Sequence, residues 1–192
     1  MNKPNLHAAG TGIVLSSSGH VLTNHHVING ATSITVTNVG NDRTYPAAVV
    51  GYDSTHDIAV LQLRDASGLA TAPIGDSDTV EVGDKIATIG NAGGRGGTPS
   101  IAPGRVTALN RTVTVSDTVT GESQQLTGMI RVTANVQPGN SGGPLVNTAG
   151  QVVGVVTAGS ASSRGPPAGG EGFAIPINDA ITISNRIGTK IN

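Results

Sequence analysis

The sequence predicts a β-rich fold, either a barrel or a sandwich, built on small side chains. About a dozen short strand-like segments follow one another at intervals of roughly 8–12 residues, which is the spacing of all-β domains. The 28 glycines among 192 residues are interleaved with Val, Ile and Thr, and aromatic residues make up only 2% of the chain. Glycine turns between β-branched segments indicate short strands rather than a flexible linker. A chain of this length can form a sizeable core as one unit, and the absence of cysteine excludes disulfides.

The strands are predicted from two kinds of pattern. Apolar residues alternate with threonine or serine in residues 33–37 and 111–116, which is the period of a strand with one face in water. Denser apolar runs predict strands buried on both faces at residues 12–15, 58–63, 85–89 and 152–156. Glycine-containing pairs indicate turns between these strands at residues 18–19, 29–30, 40–41, 120–121 and 149–150.

One helix is predicted, at the C-terminal end of the chain. Asn178 can cap its first turn, Asp179 lies within that turn, and Gly188 marks its end. Three isoleucines fall on roughly one side of this helix, which we expect to pack on the β core: Ile177, Ile181 and Ile187. Two segments, residues 92–103 and 159–172, are predicted as long loops, and both a functional rim and disorder are compatible with their composition.

The charge balance excludes several classes of function. Lysine and arginine number 11 against 12 aspartate and glutamate residues, for a formal net charge of −1. Nucleic acids and anionic membrane surfaces are both held by concentrated basic charge, so neither is expected as a partner.

The first ten residues show no signal peptide, and no stretch approaches the roughly 18 apolar residues of a spanning helix.

Three short segments each place a chemically useful side chain beside an apolar strand: residues 22–27 (LTNHHV), 56–61 (HDIAVL) and 139–145 (GNSGGPL). A serine hydroxyl becomes a good nucleophile only when a hydrogen-bonded imidazole takes its proton, and a carboxylate must hold that imidazole in one tautomer. Taken singly, each of these residues is more often a surface, capping or turn residue. Only their conjunction indicates nucleophilic catalysis.

The glycines around Ser141 have a separate task. They allow a sharp backbone turn, so that the amides of Gly139 and Ser141 can converge on the oxyanion of a tetrahedral intermediate. One such donor is typically worth ~10²–10³ in rate.

With TNHHV, HDIAVL and GNSGGPL in this order, the chain resembles the trypsin-like serine protease superfamily, and within it the HtrA/Deg-like bacterial branch. The segments GTGIVL at residues 10–15 and GFAIPIN at residues 172–178 extend the resemblance to roughly residues 10 to 180. It implies an all-β fold of two six-stranded Greek-key β-barrels, with the active site between them and a short C-terminal helix. The implied division is residues 1–78 for the first barrel and 79–192 for the second.

The resemblance also implies a role for each residue of the motifs. His26 would be the general base, Asp57 would orient it, and Ser141 would be the nucleophile. Because Asp57 and Ser141 are 84 positions apart, they can lie on different barrels. Activity should then rise with pH as the imidazole loses its proton. The oxyanion hole would be formed by Gly139, Asn140 and Ser141.

Two adjacent histidines compete for the role of base. We choose His26 over His25 because it directly precedes Val27, which ends the motif. The other histidines have no comparable context and are expected to be exposed: His7, His20 and His56. No spacing of histidine with aspartate or glutamate matches a metal site, so neither a metal nor a cofactor is expected.

The chain departs from the resemblance in two places. Asn140 stands where trypsins carry an aspartate that pairs with the new N-terminus after zymogen cleavage, so activation by that route is not expected. Only nine residues precede GTGIVL, where relatives begin with a further strand. We therefore expect a first barrel that either lacks its first strand or fills that place with another segment. If the strand is missing and nothing replaces it, the barrel has an open edge.

The resemblance assigns substrate binding to one residue before the serine motif and to the strands after it. No acidic residue occupies the implied base of the S1 pocket, so cleavage after Arg or Lys is not expected. The predicted activity is that of a serine endopeptidase that cleaves polypeptides after small or medium apolar P1 residues. The residues assigned to the pocket are Asn135, Thr157, Ala158, Gly159 and Phe173.

Two other functions share these features. One is a catalytically weak peptide-binding or chaperone-like module on the same fold, which would not react with a fluorophosphonate. The other is a glutamate-specific endopeptidase, for which only Arg131 and Arg164 are remote candidate pocket cations.

With 15 residues after GFAIPI, no PDZ domain is expected in this chain. We also expect a monomer with an extracytoplasmic or secreted location.

Overall fold

The computed structural model describes residues 8–116, 123–157 and 170–188, and its first five strands form one antiparallel sheet. The order in the sheet is β1-β2-β5-β4-β3, so each edge of the sheet ends on a strand with one neighbour. The strands of this sheet are β1 (Ile13–Val14), β2 (His20–Thr23), β3 (Ile34–Asn38), β4 (Arg43–Asp53) and β5 (Ile58–Leu63).

The remaining six strands close into an antiparallel barrel. Its members are β6 (Lys85–Gly90), β7 (Ser100–Ser116), β8 (Ser123–Thr133), β9 (Pro144–Asn147), β10 (Val152–Thr157) and β11 (Gly172–Pro176). They follow one another around the barrel as β10-β11-β8-β7-β6-β9. In the described ranges the fold also contains two helices, α1 (His25–Ile28) after β2 and α2 (Ile177–Arg186) after β11, together with short 3₁₀ turns at Ser77–Thr79 and Ala92–Gly94.

This arrangement confirms the predicted all-β fold with two β units and a C-terminal helix. The second unit has the six strands and the closure that the resemblance implies. In the described part of the chain the first unit has five strands, the number expected if its first strand is absent. The division at residues 78 and 79 remains a prediction; it falls within the 3₁₀ turn that separates the two sheets along the chain.

The predicted loop at residues 92–103 is shorter than expected. Strand β7 already begins at Ser100, and its first residues pair with β6, for example Ala87 with Pro103. Proline and glycine in this segment indicated a loop, but proline lacks only the N–H, so it can occupy a strand position that needs no donor. The other predicted loop, residues 159–172, lies largely outside the described residues.

Helix α2 begins earlier than the predicted cap at Asn178. Its N-cap is Pro176, and the Asn178 side chain instead donates to the Asp76 carboxylate, 2.7 Å from Nδ2 to Oδ1. Ile177 and Ile183 are buried, whereas Ile181 and Ile187 are partly buried against the same core. The expected packing of the helix on the β core is thus confirmed. None of the described helices is long and apolar enough to cross a membrane.

One hydrophobic cluster joins the two units. It takes Leu22 and Ile58 from the first sheet, Met129 and Phe173 from the barrel, and Ile177 from helix α2. All five side chains are at most 7% exposed. Burial of each side chain contributes about 1.5–3 kcal/mol to the stability of the fold. The cluster therefore holds the first sheet and the barrel in one relative position.

Candidate active site

Neighbouring strands bring His26 and Asp57 together. His26 lies in α1 directly after β2, Asp57 directly precedes β5, and β2 pairs with β5. The Asp57 carboxylate receives the backbone N–H of His26 at 2.9 Å and lies 2.8 and 3.0 Å from its ring atom Nδ1. Because an ionised carboxylate only accepts, Nδ1 carries the proton and Nε2 is the basic nitrogen. This is the tautomer that a general base for a serine requires.

Asp57 is held more firmly than its motif indicates. It is 3% exposed, and its backbone has a φ of 56°, in the left-handed region that costs a non-glycine residue energy. The buried Asn24 amide donates to the Asp57 carbonyl at 2.9 Å, and the Thr157 hydroxyl donates to carboxylate oxygen Oδ2 at 3.1 Å. Thr157, which was assigned to substrate binding, is fully buried and contacts the acid instead.

The structure distinguishes between the two adjacent histidines. The ring of His25 stacks on Tyr52, with centroids 4.6 Å apart, while His26 contacts the acid. Of the histidines expected to be exposed, His56 is exposed, but His20 is half-buried and contacts Ser16, which corrects that expectation; His7 lies outside the described residues. Among the described residues no three His, Asp or Glu side chains are close enough to hold a metal ion.

Ser141 lies in a tight turn between β8 and β9, and strand β10 links this turn to the acid. The Gly142 amide donates to the Val156 carbonyl at 2.8 Å, and the next residue, Thr157, donates to Asp57. Two consecutive residues of β10 therefore hold the serine turn and the carboxylate. Ser141 itself is 5% exposed. The three residues that the sequence separates by 31 and 84 positions are thus gathered at the junction of the two units.

Hydrogen bonds within this turn fix the directions of the Gly139 and Ser141 amides. The Pro138 carbonyl accepts from Gly93 at 2.7 Å, and the Asn140 carbonyl accepts from Gly143 at 3.0 Å. In a trans peptide the N–H points opposite to the C=O, so these bonds fix the directions of the Gly139 and Ser141 amides. Neither amide donates a hydrogen bond within the described part of the chain.

The third residue of the predicted oxyanion hole, Asn140, has a different position. Its amide donates to the Gln137 carbonyl at 3.0 Å and so stabilises the turn, whereas the Gly139 and Ser141 amides have no such partner among the described residues. Its side chain is 1% exposed, and Oδ1 has no hydrogen-bond partner within the described residues. An aspartate here would be an unpaired buried charge, which is costly. The neutral amide therefore suits a turn that needs no ammonium partner.

The residues assigned to the substrate pocket do not all face an open site. Phe173 is 7% exposed and belongs to the cluster between the units, so its ring is a core residue rather than an open wall. Asn135 is exposed, and Ala158 and Gly159 lie outside the described residues. Sequence reasoning missed Val136, which is half-buried and packs so closely on Gly172 that a Cβ there would overlap it.

Comparisons with known proteins show what the chain is similar to. The model of a family described as a trypsin-like peptidase domain matches residues 10–155. The chain is 38% identical over 188 residues to a serine protease Do-like HtrA of Lactobacillus helveticus, covering 96% of this chain and 44% of the relative. It is 37% identical over 179 residues to the periplasmic pH-dependent serine endoprotease DegQ of Escherichia coli (strain K12), covering 93% of this chain and 37% of the relative.

A probable periplasmic serine protease do/HhoA-like of Haemophilus influenzae is 41% identical over 187 residues, with 97% of this chain and 38% of the relative covered. Among solved structures, an HtrA-type protease AlgW with decapeptide superposes with a TM-score of 0.77 at 34% identity, covering 93% of this chain and 51% of that one. The chain thus spans less than half the length of these curated relatives.

Proposed function

The chain belongs to the trypsin-like peptidase family, in its HtrA/Deg-like branch, and we propose that it is a serine endopeptidase acting on polypeptides through an acyl-enzyme at Ser141. One observation carries the proposal. Strand β10 holds the Ser141 turn with Val156 and the Asp57 carboxylate with the adjacent Thr157, while that carboxylate fixes the proton of His26 on Nδ1. A nucleophile, a base and an orienting acid thus meet in one place.

The chemistry follows from this arrangement. Ser141 Oγ bonds to the carbonyl carbon of the substrate, its proton passes to Nε2 of His26, and the carbonyl π electrons become an oxyanion. The amides of Gly139 and Ser141 stabilise that charge. When the intermediate collapses, the C–N bond breaks and His26 gives its proton to the leaving amine. Water then attacks the acyl-enzyme by the same route, which releases the acid product and restores the serine.

A small or medium apolar P1 residue is supported by the residues that adjoin Asn135 and Phe173 in the chain. Val136 is apolar and half-buried, and it packs against Gly172, which has room for no side chain. Glu171, the acidic residue directly before Gly172, forms an ion pair with Arg131. Glu171 could bind a basic P1 residue, or Arg131 an acidic one, only if that pair were broken. This pairing also disfavours the glutamate-specific alternative.

Digestion of an unfolded protein tests the activity and the preference together. We expect the wild-type chain to cut such a substrate internally, with Ala, Val or Leu enriched before the cut sites that mass spectrometry maps. Ser141→Ala, which removes only the nucleophilic oxygen, should leave the substrate intact. Equal digestion by Ser141→Ala would refute the proposed nucleophile, and cut sites dominated by Arg or Glu would refute the P1 preference.

We also propose a location outside the cytoplasm and action as a monomer. The Haemophilus influenzae and Escherichia coli relatives described above are both named as periplasmic, which supports the location. The similar AlgW protease was solved with a decapeptide, which supports polypeptides as ligands of this chain.

A further inference from the structure

We propose that Thr11 is a positioning residue for the oxyanion hole, acting through the turn formed by residues 137–143, here called the oxyanion turn. The proposal rests on the proposed function, because an oxyanion hole has a role only if Ser141 attacks a carbonyl. Thr11 precedes strand β1 of the first unit and is half-buried.

The Thr11 hydroxyl joins two segments of the barrel. It donates to the Gly139 carbonyl at 2.7 Å and accepts from the Asn91 amide at 2.9 Å. A hydroxyl has one proton to donate, so these two bonds give it a fixed orientation. The bond to Gly139 holds one end of the peptide between Gly139 and Asn140, while Gln137 holds the other end through the Asn140 amide.

The Thr11 backbone also binds the main chain of the candidate nucleophile, Ser141. Its amide donates to the Ser141 carbonyl at 2.8 Å, and its own carbonyl accepts the Thr23 hydroxyl at 2.7 Å. The side chain thus holds Gly139 and the backbone holds Ser141, which are the two residues whose amides face the oxyanion. A single residue of the first unit therefore holds the carbonyls of both donor residues of the second.

Three glycines make room for Thr11 at close range. A Cβ on Gly90 would lie 2.9 Å from the Thr11 hydroxyl, and a Cβ on Gly143 would lie 3.0 Å from its methyl carbon. A Cβ on Gly142 would overlap the Thr11 carbonyl. Glycine at these three positions therefore lets the backbone of the barrel approach Thr11 more closely than a residue with a Cβ could.

Gly139 needs such an external hold. Its φ of 95° is accessible because glycine has no Cβ, and the same freedom lets the adjacent peptides rotate. The Gly139 amide belongs to the peptide between Pro138 and Gly139, and rotation of that peptide would turn it away from the oxyanion. The Thr11 hydroxyl holds the peptide on the other side of the Gly139 Cα, which limits the backbone freedom of that glycine. Without the hydroxyl, the Gly139 carbonyl and the Asn91 amide both lose a partner, so the aimed conformation loses stability relative to rotated ones.

The proposal predicts a loss confined to the transition state. Thr11→Val replaces the hydroxyl by a methyl group, and Thr11→Ala removes it without adding volume. In both variants we expect kcat on a peptide substrate to fall roughly ten- to hundredfold, a part of the ~10²–10³ attributed to one oxyanion donor, with KM changed less than threefold. A peptidyl boronic acid, whose tetrahedral adduct places an oxygen in the oxyanion hole, should bind more weakly by a similar factor.

Two further variants separate positioning from general stability. Thr11→Ser keeps the hydroxyl and should retain most of the wild-type kcat. Thr107→Val is the matched control, because Thr107 is also half-buried and its hydroxyl also donates to a carbonyl, that of Arg131 at 3.1 Å. Rates are compared per folded molecule, with the folded fraction taken from thermal unfolding.

If folded Thr11→Val or Thr11→Ala keeps kcat within twofold of wild type, Thr11 does not position the oxyanion turn. The proposal is also wrong if kcat and KM change together, or if Thr107→Val shows the same loss as Thr11→Val. Should the wild-type chain itself show no turnover and no boronate binding, the proposed function fails first. These readouts therefore distinguish the failure of the two proposals.

Discussion

Gly139 and Gly142 have backbone angles and neighbours that a larger residue could not share. Their φ values are 95° and 83°, both in the left-handed region that favours glycine. A Cβ on Gly139 would overlap the Asn91 carbonyl, and a Cβ on Gly142 would overlap the Thr23 hydroxyl as well as the Thr11 carbonyl. Both positions therefore require glycine for conformation and for space.

Gly139→Ala should abolish most of the activity while leaving the acid and base pair intact. The added methyl group must displace the Asn91 carbonyl, which moves the Gly139 amide away from the oxyanion. Loss of one donor is typically worth about 10²–10³ in kcat, and we expect a fall of at least that size, measured on a peptide substrate. Gly150→Ala is a control with similarly strained φ of 76° but open space around it, and it should keep wild-type kcat.

At the level of single residues, the sequence predicted the candidate site residues that lie within a short motif. It did not predict contacts between residues that are far apart in the chain. The serine turn could be predicted because its glycines and its nucleophile are adjacent. The contact of Thr157 with Asp57 could not, since a threonine at the end of an apolar strand shows no sign of a partner 100 residues away. Phe173 was predicted in the pocket, but β11 turns its ring into the core between the units.

Helix α2 fastens the second unit to the turn that carries the acid. Arg186, in its last turn, donates to the Asp53 carboxylate at 2.6 Å. The same carboxylate accepts the backbone N–H of His56 at 3.1 Å and lies 2.9 Å from its ring atom Nδ1. Since His56 directly precedes Asp57, this cluster supports the backbone on which the candidate acid lies.

Asp53→Asn should weaken the fold at neutral pH but not in strong acid. Partial burial acts to raise the pKa of Asp53, but hydrogen bonds from His56 and Arg186 outweigh it and lower that pKa below its usual value. The stabilisation is therefore present above the ordinary aspartate pKa of about 3.9 and is lost as the pH falls through the lowered pKa. We expect Asp53→Asn to lose about 1 kcal/mol of unfolding free energy at pH 6.

Urea unfolding between pH 2 and 6 measures this difference. The curves of wild type and Asp53→Asn should converge at the acid end. Asp65→Asn is the control, because Asp65 is exposed and has a φ of 56°, a conformation that asparagine tolerates equally well. A constant offset between wild type and Asp53→Asn down to pH 2 would contradict the role of the Asp53 charge.

At the level of elements, strand positions could be predicted well and their ends less well. The apolar run at residues 58–63 coincides with β5, because a buried strand needs apolar side chains on both faces. The start of α2 was placed two residues late, since Asn178 is a good local cap but its side chain is drawn to Asp76. Strand β7 was predicted too short because its partner β6, and not its own composition, keeps Ser100 to Pro103 extended.

The whole molecule is organised around the junction of an open five-stranded sheet and a closed six-stranded barrel. The proposed acid and base come from the first unit, and the proposed nucleophile and oxyanion donors come from the barrel. Connections across the junction near the site include the shared hydrophobic cluster, the bond from the Thr157 hydroxyl to Asp57, and the bonds from Thr11 to the oxyanion turn. Composition and periodicity predicted strands, but only the family resemblance predicted that these two units meet at the three motifs.

The central claim is that Ser141 is a nucleophile activated by His26, and reaction with a fluorophosphonate tests it most directly. After labelling, digestion and mass spectrometry should locate a single adduct on Ser141. The adduct should be absent in Ser141→Ala, strongly reduced in His26→Ala, and retained in His25→Ala. A wild-type chain that stays unlabelled, an adduct on another residue, or labelling that depends on His25 rather than His26 would contradict the account.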